Sequence, residues 1–260
     1  MTQWVRFRSA DGRVGFGGLD RDQILEYAGD IYGAHASTGK LLPLAAATLL
    51  CPCLPSKIIA LWNNFHALAV KLGKAAPKYP LFLIKPASCT VGPSEAIRRP
   101  AAYAGKISYE GELGIVIGKT CKNVSAQEAA TYIFGYTCVN DVTASEVLNE
   151  DPNFAQWCRA KGYDTFGCIG PAITSDLEWS TLSVVTRVDG VERQNYPLRD
   201  MIFSPQELVS YLSHDMSLLP GDVIACGTSI GVGSVKDGST VEIAIDGIGV
   251  LANRLRAADT

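Results

Sequence analysis

The sequence predicts a mixed α/β fold that is mainly β, with peripheral helices and a small N-terminal β-containing appendage. Three observations point there. Asp189-Gly190 and Asp246-Gly247 each sit between short β-branched runs, as in hairpins whose turn needs positive φ. Only two helix starts are well signalled. Strands do not alternate with long amphipathic helices, which excludes a doubly wound βαβ arrangement.

Taken in order, residues 4–7 and 14–17 flank the turn-like Ala10-Asp11-Gly12 and read as a hairpin. The proline-punctuated Cys51-Pro52-Cys53-Leu54-Pro55 then sets a boundary, giving a small N-terminal domain over 1–55 and a larger catalytic domain over 56–257. Ser125-Ala126-Gln127-Glu128 has the form of a capping box, in which the serine accepts an orphan amide and the glutamate reaches back; it opens a helix to about Phe134. Ser204-Pro205-Gln206-Glu207 repeats the device, with proline where its missing N–H costs nothing, and opens a helix to about Leu212. Residues 182–188 and 191–194 form one Asp-Gly hairpin, and 241–245 and 248–251 the other. Pro220-Gly221-Asp222 turns into an apolar strand over 223–226.

Composition narrows the function. At 260 residues, 47% hydrophobic and 19% charged, the chain builds a sizeable core. A net charge of -3 without a basic run argues against a nucleic-acid partner. The N-terminus lacks a basic region followed by an apolar core, and the longest apolar stretch, 41–50, is about half of what a spanning helix needs. We expect a soluble, cytoplasmic protein with no membrane partner. Of the eight cysteines, Cys51 and Cys53 form a C-x-C and the rest are single, so buried free thiols are expected rather than disulfides or zinc.

The sharpest chemical feature is Tyr109-Glu110-Gly111-Glu112-Leu113, running into Gly114-Ile115-Val116-Ile117-Gly118. On a strand, residues i and i+2 share a face, so Glu110 and Glu112 become adjacent carboxylates on an apolar strand. Bare, they repel and are costly to desolvate; a hard cation removes both penalties. Asp141, after Val139-Asn140, is a candidate third ligand. An all-oxygen set suits Mg²⁺, Mn²⁺ or Ca²⁺ rather than zinc.

Five motifs in order now bear on identity: Y-E-G-E-L-x-I-V-I-G-K at 109–119, G-Y-T-x-x-N-D-V-T at 135–143, K-G-Y-D-T-F-x-x-I-G-P at 161–171, L-x-P-G-D-V-I-x-x-G-T-S-x-G-V-G at 218–233 and D-G-I-G-V-L-x-N at 246–253. Spread over about 56–255, they closely resemble the fumarylacetoacetate hydrolase family. That resemblance implies a β-roll with peripheral helices, a homodimer, a Mg²⁺ or Mn²⁺ ion and a small 2-oxo acid substrate. It implies that Glu110, Glu112 and Asp141 bind the metal and that Lys161 lies in the active site. It implies too that Thr228, beside Gly227, sits in the glycine-rich loop that receives the substrate carboxylate.

The pattern also breaks. Hydrolytic members carry G-x-N-Y-x-x-H-x-x-E, whose histidine and glutamate activate water. Aligning Asn64-Phe65 with N-Y puts Leu68 and Lys71 at those positions, and neither serves as a base near neutral pH. His66, two residues away, is the candidate substitute. Ser145 and Leu148 stand where many members place a substrate-binding arginine and glutamine. His35 and His214 have no nucleophile partner, which discounts a Ser–His–Asp arrangement. Three readings follow. The nominal one is C–C hydrolysis of an acylpyruvate-like β-diketo acid. Its rival is keto–enol isomerisation or decarboxylation of a 2-oxo dioate, which needs no activated water and is favoured by the missing dyad. The third is a metal-binding pseudoenzyme.

Overall fold

The structure, a computed structural model, describes residues 1–258. The N-terminal part is all strand: β1 (Gln3–Ser9), β2 (Val14–Asp20), β3 (Gln23–Gly29), β4 (His35–Pro43) and β5 (Ala47–Leu50). After the Cys51–Pro55 segment come β6 (Lys57–Trp62), the short helix α1 (His66–Lys71) and β7 (Leu81–Pro86). Next are β8 (Thr90–Val91), β9 (Ile97–Arg98), β10 (Ile107–Tyr109), β11 (Gly111–Ile117), α2 (Ala126–Ala129), β12 (Ile133–Asp141), β13 (Thr143–Ala144), α3 (Trp157–Lys161) and β14 (Gly167–Thr174). The chain ends with β15 (Ser183–Val188), β16 (Val191–Pro197), α4 (Pro205–Asp215), β17 (Val223–Ala225), β18 (Gly233–Val235), β19 (Thr240–Ile245) and β20 (Gly249–Arg256). Sheet dominates and the helices are peripheral, as the sequence predicts.

The main sheet runs β4-β3-β2-β1-β14-β12-β11-β17-β6-β7, with β5 pairing β1 and β8 pairing β14. The N-terminal strands join it directly, Gln3 opposite Thr174 and Trp4 opposite Ile173. A five-stranded sheet, β16-β15-β19-β20-β9, and a three-stranded one, β13-β10-β18, complete the fold.

The core explains the strand sequences. Leu113, Ile115, Ile117 and Cys226 pack on one side of the main sheet against Val184, Val241, Ile243 and Leu251 of the five-stranded sheet. Val116, Val139, Val223 and Ala225 point the other way, into a second cluster with Trp4, Ile58 and Leu83. With both faces covered, every residue of β11 is buried, which is why 111–117 is an unbroken apolar run apart from Glu112.

Both Asp-Gly turns form. Asp189 and Gly190 each have positive φ, and the second hairpin pairs Ile245 with Gly249 around Gly247 at φ +79°. Both capping boxes form as well. The first helix is shorter than expected: α2 ends at Ala129, a 3₁₀ turn follows, and Ile133 already belongs to β12. Thr131, Tyr132, Ile133 and Phe134 are β-branched or aromatic, and pairing of Ile133 with Ile117 outweighs the helix start. The second helix runs on to Asp215, one turn past Leu212, burying Leu208, Val209 and Leu212. All cysteines are free thiols; Cys158 is exposed, unlike the other seven. Among the described residues no helix is long and apolar enough to cross a membrane.

Candidate active site

Three elements converge on one buried end of the main sheet. Glu110 sits at the junction where the chain leaves β10 and enters β11, and Glu112 is the second residue of β11. Asp141 closes β12, where Gly111 pairs with Asn140. The junction is pinned twice: the Asp141 amide donates to the Glu110 carbonyl at 2.9 Å, and the Glu110 amide donates to Asn140 Oδ1 at 3.1 Å. Gly111, between the two glutamates, has no room for a side chain, since a Cβ would collide with Thr186 Oγ1 and Ile243.

The carboxylate oxygens of Glu110, Glu112 and Asp141 come within 4.8 Å of one another. Glu112 is fully buried; its Oε2 accepts from the Gly227 amide at 2.8 Å, and its Oε1 has no hydrogen-bond partner. A buried, unpaired carboxylate oxygen facing two further carboxylates is the environment a hard cation satisfies, and the donor set is oxygen only. The residues present therefore fit a hard divalent ion.

Two lysines enter the cluster. Lys161, the last residue of α3, is buried and places Nζ 2.7 Å from Asp141 Oδ2, 3.0 Å from Glu110 Oε1 and 2.7 Å from Thr143 Oγ1. Lys85, on β7, donates to Asp141 Oδ1 and, at 2.8 Å, to the Phe166 carbonyl. Burial pushes the Glu112 carboxyl well above the usual carboxylate range, reinforced by the charges of Asp141 and Glu110. Burial also raises Glu110, against the pull of Lys161. For Asp141 burial is outweighed by Lys161 and then Lys85, and its carboxyl lies below the usual range. Burial opposes the Lys161 charge, yet Asp141, Glu110 and Glu112 together raise it, so this lysine is an ammonium at neutral pH.

The glycine-rich loop abuts the cluster. Gly227 has φ +89°, and the Thr228 hydroxyl donates to the Gly111 carbonyl at 3.0 Å while accepting from Gln194 Nε2 at 2.9 Å. Its proton is thus committed to a protein acceptor. Among the described residues the Thr228 amide donates to no acceptor.

Of the sequence-predicted residues, Glu110, Glu112, Asp141, Lys161, Gly227 and Thr228 come together. His66 does not join the carboxylate cluster; it is the exposed first residue of α1, and nothing among the described residues hydrogen-bonds its ring. Two residues back, Asn64 bonds the Cys226 carbonyl at 2.8 Å, which ties the approach to α1 to the Gly227 loop. Leu68 packs against the core, Lys71 is exposed, and Ser145 bonds Ser108 at 2.6 Å. His35 lies among Trp4, Phe16 and Tyr27, while His214 sits near the end of α4. Lys85 and Gln194 were missed. Lys85 carried a signal: on β7 it shares parity with the core residue Leu83, so it points inward. Gln194 shares parity with the core residue Tyr196 on β16 and so points inward too, but only the packing of β16 on the loop brings it to Thr228.

Residues 57–256 match the family described as fumarylacetoacetate (FAA) hydrolase, C-terminal, and residues 2–52 match Rv2993c-like, N-terminal. Protein Rv2993c of Mycobacterium tuberculosis is 40% identical over 253 residues, covering 96% of this chain and 93% of its own. The structure of a 2-hydroxyhepta-2,4-diene-1,7-dioate isomerase from Mycobacterium marinum superposes with a TM-score of 0.91 at 37% identity, covering 100% of both chains. A maleylpyruvate hydrolase from Sphingobium, in complex with manganese(II) and pyruvate, gives a TM-score of 0.79 at 28% identity, covering 99% of this chain and 100% of its own. With the family match spanning most of the chain, this protein belongs to the fumarylacetoacetate hydrolase family.

Proposed function

We propose that this protein is a divalent-metal-dependent enzyme acting on a small 2-oxo acid, and that it isomerises or decarboxylates a 2-oxo dioate in preference to hydrolysing a C–C bond. The observation that carries this is the buried cluster of Glu110, Glu112, Asp141 and Lys161 with, among the described residues, no paired histidine and carboxylate beside it to activate water. Glu110, Glu112 and Asp141 would hold the ion, which when bound supplies a Lewis acid that polarises a 2-oxo carboxylate. Lys161 keeps a positive charge next to those carboxylates, where it stabilises negative charge developing on the substrate 2-oxygen. The Thr228 amide is free to meet the substrate carboxylate, and the loop is held still by Glu112 below Gly227 and by Gln194 at the Thr228 hydroxyl. Leu68 and Lys71 supply no base. A homodimer and a cytoplasmic location are part of the same proposal, the first checked by sedimentation velocity.

Hydrolysis of an acylpyruvate-like compound is the second reading. The tie from Asn64 to the Cys226 carbonyl favours it, because it keeps His66 close in sequence to a residue bordering the Gly227 loop. The test supplies oxaloacetate, acetylpyruvate and a 2-hydroxy-dienoate in parallel, with Mg²⁺ or Mn²⁺. Decarboxylation, isomerisation or solvent-deuterium exchange at C3 should exceed acetylpyruvate cleavage. Fast acetylpyruvate cleavage that His66→Ala abolishes would establish the hydrolase instead.

A further inference from the structure

The carboxylates proposed to hold the ion are already engaged by lysine. Lys161 Nζ bridges Glu110 Oε1 at 3.0 Å and Asp141 Oδ2 at 2.7 Å, and Lys85 takes Asp141 Oδ1. Both Asp141 oxygens therefore carry an ammonium contact. Glu112 Oε1, by contrast, is fully buried and has no hydrogen-bond partner among the described residues. Two lysine ammonium groups already stand among the three carboxylates before any dication enters. Both lysine side chains are almost fully buried, so water screens their charge poorly.

We infer that Lys161 competes with the divalent ion for Glu110 and Asp141, so that the residue proposed for catalysis also sets a low ceiling on metal affinity. The geometry separates the two lysines. Lys161 touches two of the three candidate ligands and Thr143; Lys85 touches only Asp141 and has the Phe166 carbonyl as a second acceptor. Lys161 is therefore the stronger antagonist, and Lys85 acts chiefly as a positioning residue that fixes the Asp141 carboxylate. The consequence runs opposite to that of an ordinary active-site substitution: removing Lys161 lowers turnover but tightens the metal. The inference rests on the metal site proposed above.

The experiment is a Mn²⁺ titration of the full-length protein, stripped by chelation, with free ion read by electron paramagnetic resonance. Wild type is compared with Lys161→Gln, Lys161→Met and Lys85→Gln, and folding of each is checked by thermal melts. Lys161→Gln and Lys161→Met should each bind Mn²⁺ at least about tenfold more tightly than wild type, through loss of one buried like charge. Both should also show a larger Mn²⁺-induced rise in Tm. Lys85→Gln should tighten binding less, or weaken it. Unchanged or weaker Mn²⁺ binding in a folded Lys161 variant overturns the inference and makes Lys161 a residue that orients the ligands; because wild type still binds, the metal site survives that outcome. Absence of Mn²⁺ binding in every protein, wild type included, overturns the metal site and this inference together.

Discussion

Lys161 and Glu112 show how much chemistry depends on where one side chain is buried. A lysine after Arg159 reads as a surface residue from composition alone, yet its ammonium ends between Asp141, Glu110 and Thr143. Lys161→Met should keep the fold and lower kcat by about 10²-fold or more, the loss expected for a contact made to charge that develops in the transition state. Circular dichroism and steady-state kinetics check the two halves, and near-wild-type turnover removes Lys161 from the mechanism. Glu112 lends itself to a test without substrate. An ion present at one hundred times its Kd stabilises the fold by about 2.7 kcal/mol. Mn²⁺ should therefore raise the Tm of wild type, a chelator should reverse the rise, and Glu112→Gln should abolish it while remaining folded. A full Mn²⁺ shift in Glu112→Gln would take this residue out of the ligand set.

At the scale of elements, the site hangs on turns and caps rather than on long helices. Asp222, in the turn before β17, is fully buried and accepts from the Ser56 amide at 3.0 Å, the Ser56 hydroxyl at 2.6 Å, the Leu219 amide at 2.9 Å and Lys57 Nζ at 2.5 Å. It thereby fastens the start of β6 to β17, its parallel neighbour. Asp222→Ala strands these donors and should cost roughly 3 kcal/mol, the lower end for breaking a buried pair, since Lys57 keeps some access to water. Urea denaturation measures it, and a loss under about 1 kcal/mol would contradict the account. The α2 cap yields a pH dependence. The Ser125 hydroxyl and amide both donate to Glu128, and these bonds hold its carboxyl below the usual range. A depressed carboxyl stabilises the fold above the unfolded value and loses that contribution as pH falls through the folded value. The Tm gap between wild type and Glu128→Ala should be positive at pH 7 and close on acidification; a gap independent of pH would show that the charge is irrelevant to the cap.

For the whole molecule, sequence and structure divide the information by range. What is local was legible. The Asp-Gly turns, the two capping boxes and the apolar run of β11 need only neighbours within a few residues, and each appears where the chain placed it. The spacing of Glu110 and Glu112 was legible too, and the order of five motifs carried the family. What depends on contacts far apart in the chain was decided by the tertiary structure. The end of α2 is one case, because pairing of Ile133 with Ile117 stops a helix that its own cap would extend. Continuity of the N-terminal strands with β14 is another, since nothing in residues 1–55 names a partner some 170 residues on. Lys85 and Gln194 reach the site across 56 and 34 residues, and no local periodicity encodes such distances. Sequence by itself singled out the three carboxylates that the fold brings together. Only the folded chain decided that two buried ammonium groups stand among them, because burial and charge pairing are properties of the assembled sheet and not of any one segment.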